Sequence, residues 1–157
     1  MAINNKIDTF SSFYSVSRET IEILKKYEEM LIKENKKLNL IGKSTINNIW
    51  ERHFMDSCQV IDFIDKNDKT LIDIGSGAGF PGLVLSIMAK GREIPIKVKL
   101  IEKSSKKIKF LEKIINKLYL DAEVINKNIF EFQKKMSGDI FVTRAFKPLK
   151  VVLELIH

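Results

Sequence analysis

One segment constrains this chain more than any other: Leu71-Ile72-Asp73-Ile74-Gly75-Ser76-Gly77-Ala78-Gly79-Phe80-Pro81-Gly82. A short apolar run, a glycine cluster and a helical pattern over about 82–90 make a strand–turn–helix unit. Its turn must bend sharply and approach a ligand without a Cβ in the way. The rest of the second half repeats the rhythm. Apolar runs at 71–74, 96–101, 122–125 and 140–143 read as strands, separated by helical stretches at 82–90 and 104–118 and a helical turn near 129–135. Pro148 is placed to open a last helix at its N1 position. Strands alternating with helices pair in parallel through right-handed crossovers, so the expectation is a doubly wound α/β sheet.

The glycine spacing selects the ligand. A dinucleotide fingerprint reads G-x-G-x-x-G, and counted from Gly75 its third position falls on Phe80. The pattern present is Asp-x-Gly-x-Gly-x-Gly, through Asp73, Gly75, Gly77 and Gly79, with Ser76 inside it. A carboxylate at the mouth repels a phosphate and suits a cation. S-adenosylmethionine carries a sulfonium and an ammonium, so Asp73 matches it better than it matches NAD. No G-K-[ST] follows, which excludes a P-loop.

Three further strand ends fit the same ligand. Glu102, at the tip of the second strand, can accept hydrogen bonds from both ribose hydroxyls. Its alternative is a surface glutamate balancing Lys103, Lys106 and Lys107. Asn128 follows the third strand and can accept from an adenine amino group, with Ile129 and Phe130 flanking the ring. Equally, it can be a helix cap followed by two core residues. Arg144 ends the fourth strand, where such folds place ligands, and is one of only four arginines against 23 lysines.

The first 65 residues read as helical. Ser17 is an N-cap candidate for a helix carrying Ile21, Leu24, Tyr27 and Leu31 on one face. Residues 35–44 form a connection, a second helix runs from Ser44 or Thr45 to about 64, and 65–69 is a turn. The organisation expected is a helical cap over 1–66 and an α/β core over 67–157. His53 reads two ways, as a buried hydrogen-bonder closing the cap or as a site residue, with Asp56 placed to pair with it. Cys58 reads as a small core residue rather than a nucleophile.

Charge adds a direction. The net charge is +7, and residues 71–157 carry the whole excess, with 16 basic against 9 acidic residues. A one-sided excess suits a polyanion such as nucleic acid, although lysine on a solvated face is the plainer explanation. The helix at 104–118 keeps Ile108, Leu111 and Ile115 inside, turning its lysines to solvent. One cysteine and two histidines leave too few soft ligands for a zinc site, so no metal is expected. No apolar run approaches a membrane span and no secretory h-region is visible, so a soluble, cytoplasmic protein is expected.

Taken in order, these segments resemble a known family. Leu38-Asn39-Leu40, Arg52-His53-x-x-Asp56-Ser57, the Asp73–Gly82 loop ending Gly-Phe-Pro-Gly, and Arg144-Ala145-Phe146 are similar to motifs of the bacterial 16S ribosomal RNA guanine-N7 methyltransferases, also called glucose-inhibited division protein B or RsmG. The resemblance implies a class I S-adenosylmethionine-dependent methyltransferase fold, Rossmann-like with a mainly parallel sheet, under an N-terminal helical cap. It implies S-adenosyl-L-methionine as cofactor and 16S ribosomal RNA in the 30S small ribosomal subunit as partner. It places the cofactor at Gly75, Phe80, Glu102, Ile129, Phe130 and Arg144, and RNA contact or pocket shaping at Asn39, His53 and Arg144. The family is usually longer, and only four strands fit before His157, so the sheet is expected to be incomplete at its C-terminus. Two other readings stay open: a methyltransferase acting on a small molecule or protein, and a non-catalytic remnant that binds RNA or cofactor.

Overall fold

The computed structural model describes residues 2–131 and 136–156. Four strands, β1 (Thr70–Ile74), β2 (Lys97–Glu102), β3 (Ala122–Asn126) and β4 (Ile140–Thr143), form one parallel sheet in the order β3-β2-β1-β4. The chain runs outward from β1 to β3 and then returns to the other side of β1. That reversal opens a crevice at the carboxyl ends of β1 and β4, where doubly wound sheets bind ligands. The α/β expectation stands, with each strand within two residues of its expected bounds. Of the helical turn expected at 129–135, a 3₁₀ turn is present at Ile129–Glu131 and residues 132–135 lie outside the described residues.

Helices α1 (Ala2–Tyr14) and α2 (Arg18–Leu38) open the cap. Ser17 caps α2, its Oγ accepting from the Thr20 N–H at 3.2 Å. The single helix expected over 44–64 is absent. A 3₁₀ helix (Lys43–Asn48) leads through a π-helix (Trp50–Met55) into α3 (Asp56–Cys58), then a 3₁₀ turn (Ile61–Phe63). Apolar spacing could not separate these, because all three windings place an apolar residue inward every third or fourth position.

Helices α4 (Gly82–Gly91) and α5 (Ser105–Leu118) pack against the sheet, and α2 packs over both of them. Side chains alternate along β1. Leu71 joins the larger core with Leu24, Tyr27, Phe54, Leu83 and Leu111, while Ile72 and Ile74 join a smaller one with Ile101, Ile129 and Val152 of α6 (Leu149–Ile156). Each fully buried Leu or Phe contributes on the order of 1.5–3 kcal/mol. The larger core runs without a break from cap to sheet.

Candidate functional site

The glycine turn owes its shape to three left-handed residues, Gly75 (φ +72°), Gly77 (φ +59°) and Gly79 (φ +98°). Gly75 is also packed closely: a Cβ there would lie 2.4 Å from the Phe146 ring. A Cβ on Gly77 would meet nothing nearer than 3.9 Å. Gly77 therefore leaves open space at the wall of a cavity of about 320 Å³, within the range of small-molecule sites.

Glu102 stands at the tip of β2 on that cavity. Its Oε2 accepts the Gly77 N–H at 3.0 Å, and its Oε1 accepts the Lys103 and Ser104 N–H groups at 2.9 Å each. Three backbone donors fix the carboxylate, and one lone pair, on Oε2, remains for a hydroxyl donor, one fewer than the two ribose hydroxyls expected of it. Ile101, Ile129 and Phe130 line the same cavity, as do Ala145 and Phe146. Phe146 stacks on Phe130 at 6.3 Å between ring centroids. Asn128 also borders the cavity, but its Oδ1 accepts the Phe130 N–H at 3.3 Å, the capping arrangement.

Asp73 sits elsewhere than the sequence suggested. The alternation of β1 turns residue 73 away from the cavity, toward α4, where it is fully buried. Its Oδ2 accepts the Gly82 N–H at 2.9 Å, and Oδ1 has no partner among the described residues. Burial raises its carboxyl to about 7, against the opposing pull of the Gly82 N–H. Asp73 thus anchors the start of α4 beneath the turn. Ser76 is buried too, its hydroxyl donating to the Asp73 carbonyl at 3.1 Å. Gly79 faces Tyr27, whose hydroxyl donates to the Ala78 carbonyl at 2.6 Å, and so the cap supports the turn from behind.

Phe80, His53 and Arg144 form a second constellation off the cavity. Phe80 is buried, with its ring centroid 4.8 Å from His53 and 5.5 Å from Tyr27, and the Arg144 guanidinium carbon 4.9 Å from it. Arg144 Nη2 donates to His53 Nδ1 at 2.8 Å, while Nη1 donates to the Arg52 carbonyl at 3.2 Å and to Asp56 Oδ2 at 3.1 Å. Asp56 therefore pairs with Arg144, not with His53 as expected, because the π-helix and α3 present both residues to the same guanidinium. Burial and the adjacent guanidinium lower the His53 imidazole to about 4. Asn39 is exposed at the C-cap of α2 with φ +48° and does not line the cavity. Cys58 is fully buried, and burial pushes its thiol up to about 12, consistent with a core role.

Of the expected cofactor residues, the cavity gathers Gly75, Gly77, Glu102, Asn128, Ile129 and Phe130. Asp73, Ser76, Gly79, Phe80 and Arg144 build its supports instead. Sequence reasoning named Lys103 and Lys107 beside Glu102 but missed Phe146, Lys127 and Lys147 on the same cavity. Phe146 belongs to the Arg144-Ala145-Phe146 motif, but only packing shows its ring against Gly75.

Comparison with known proteins agrees with this architecture. A protein-L-isoaspartate O-methyltransferase from Plasmodium falciparum, solved with S-adenosyl-L-homocysteine, superposes with a TM-score of 0.50 at 15% identity over 83% of this chain and 79% of that one, a likeness of fold alone. The ribosomal RNA small subunit methyltransferase G of Pelagibacter ubique (strain HTCC1062) is 46% identical over 145 residues, 91% of this chain and 68% of the relative. That of Paramagnetospirillum magneticum is 39% identical over 138 residues, 88% of this chain and 64% of the relative. The chain spans about two thirds of the length of the curated relatives it matches. The family model described as rRNA small subunit methyltransferase G (GidB) matches residues 20–157. With the glycine turn, the Arg52–Ser57 segment and the Arg144–Phe146 tip all inside that match, the chain belongs to the rRNA small subunit methyltransferase G family.

Proposed function

We propose that this chain carries the cofactor-binding core of an enzyme that transfers a methyl group from S-adenosyl-L-methionine to N7 of a guanine in 16S ribosomal RNA, acting on the 30S subunit in the cytoplasm. One observation supports this most: Glu102 is held by three backbone N–H groups at the wall of a glycine-lined cavity, in a chain of this family. The residues fit an adenosyl group. Glu102 offers an acceptor on Oε2 for a ribose hydroxyl, Ile129 and Phe130 offer apolar faces for the base, and Gly77 leaves the space a side chain would fill.

When bound, S-adenosylmethionine supplies an electrophilic methyl on a cationic sulfur. The protein's part is placement and exclusion of water. Guanine N7 has a free lone pair on its major-groove edge. No proton must leave before attack, so no side chain has to act as a general base. Alignment can lower the barrier by several kcal/mol through proximity alone, on the order of the entropy of bringing two reactants together. Glu102 fixes the sugar, while Phe130 and Phe146 close the apolar side of the cavity. Asp73 and Ser76 hold the turn in its binding shape without reaching the cavity.

Incubating the chain with methyl-labelled cofactor and 30S subunits lacking the modification tests the reading. Label at guanine N7 of 16S RNA is the expected result. Label on another acceptor moves the substrate assignment elsewhere, and cofactor uptake without any label reduces the chain to a binding module.

A further inference from the structure

The Arg52–Ser57 segment and Arg144 leave a question, since neither His53 nor Arg144 lines the cofactor cavity. Their hydrogen bonds run in one direction. The Thr45 hydroxyl donates to the Gly42 carbonyl at 2.8 Å, so its oxygen accepts from His53 Nε2 at 2.9 Å. His53 then carries its proton on Nε2, and Nδ1 is left to accept from Arg144 at 2.8 Å. The donors run Arg144, His53, Thr45 and end on the Gly42 carbonyl as acceptor, spanning from the tip of β4 to the start of the 3₁₀ helix. Arg144 is fastened to the cap at two other points, the Arg52 carbonyl and Asp56.

The next two residues line the cofactor cavity. Ala145 takes φ +51°, a costly conformation for a residue with a Cβ, and turns Phe146 onto Gly75. Thr143, on the other flank, is tied to the sheet by its hydroxyl, which donates to the Ile74 carbonyl at 3.0 Å. Between a fixed strand and a fixed cap, the wall has little freedom.

We infer that His53 and Arg144 are positioning residues that couple the helical cap to the cofactor cavity, the neutral imidazole holding the guanidinium so that Ala145 and Phe146 stand against Gly75. Movement of the cap is thereby transmitted to cofactor affinity. This rests on the cofactor reading above and goes beyond it.

The test is calorimetric binding of S-adenosyl-L-homocysteine to the chain and to H53A, H53N and R144K, with circular dichroism to check folding. Replacing His53 by Ala removes the acceptor, and affinity should fall about tenfold although residue 53 does not touch the ligand. Asn places an amide oxygen near the position of Nδ1, and H53N should recover most of that loss. R144K keeps the charge but loses the fork that reaches three acceptors, and should bind as weakly as H53A. Unchanged affinity in folded H53A overturns the coupling while leaving the cofactor reading intact. So does H53N binding as weakly as R144K, a comparison that decides the matter even where H53A fails to fold. A parent chain that takes up no S-adenosyl-L-homocysteine overturns the cofactor reading and the coupling with it.

Discussion

Asp73 accepts the Gly82 N–H beneath the glycine turn and His53 stacks on its Phe80, and burial has moved their protonation in opposite directions, to about 7 and about 4. The signs follow from linkage. The folded value of Asp73 lies above its unfolded one, so its contribution to stability is full below about 4 and is lost as pH rises toward 7. The folded value of His53 lies below its unfolded one, so its contribution is full above about 6.5 and is lost as pH falls toward 4. Between about 4 and 6.5 the two oppose each other, each with a limiting slope of about 1.4 kcal/mol per pH unit. Removing one exposes the other. Urea unfolding of D73N should show stability rising with pH across this window relative to the parent chain, and H53N should show it falling. Parallel pH curves for the two variants would contradict both assignments.

Among the elements, α2 carries the most responsibility for the site. It brings Tyr27 beneath the glycine turn, where the tyrosine hydroxyl donates to the Ala78 carbonyl and its ring stacks on Phe80 and Phe54. Ser17 starts that helix, accepting the Thr20 N–H. Ser17→Ala should cost about 1 kcal/mol, the usual loss for an N-cap serine. In a domain of this size that lowers the melting temperature by roughly 2–4 °C. Thermal unfolding followed by circular dichroism reads it directly, and an unchanged melting point would show that the cap contributes nothing here. The 3₁₀ and π windings that follow serve another purpose. From them the Arg52 carbonyl, His53 and Asp56 all reach one guanidinium.

Across the whole molecule, the uneven charge meets the cavity. Lys103, Lys107 and Lys147 stand on its rim beside Glu102, in the half of the chain that holds the basic excess. The single carboxylate of S-adenosylmethionine can use at most one or two ammonium groups, and an RNA backbone can use the rest. Contact with three phosphates gives a slope of about −2 to −3 in a plot of log affinity against log salt. Binding of a 16S RNA fragment should therefore weaken on the order of tenfold or more between 50 and 200 mM salt, a range set by counterion release. Replacing the three lysines with glutamine should flatten that slope, measured by fluorescence anisotropy. A slope equal to the parent's would place the RNA track on another face.

The parallel α/β fold, its strand positions, the glycine turn and the place of Glu102 were all legible in the sequence, as was Ser17 as a cap. Each depends on local chemistry: the period of apolar residues, the conformations open to glycine, or the end of a strand. The family could be read from the order of short motifs, because several moderately specific segments in sequence are together highly specific. The direction of Asp73, the partner of Asp56, the windings between 43 and 63 and the placement of Phe146 had no such local signal. They depend on which face of β1 meets α4 and on how the cap closes over the tip of β4. Those are contacts between residues tens of positions apart, and packing in three dimensions decides them.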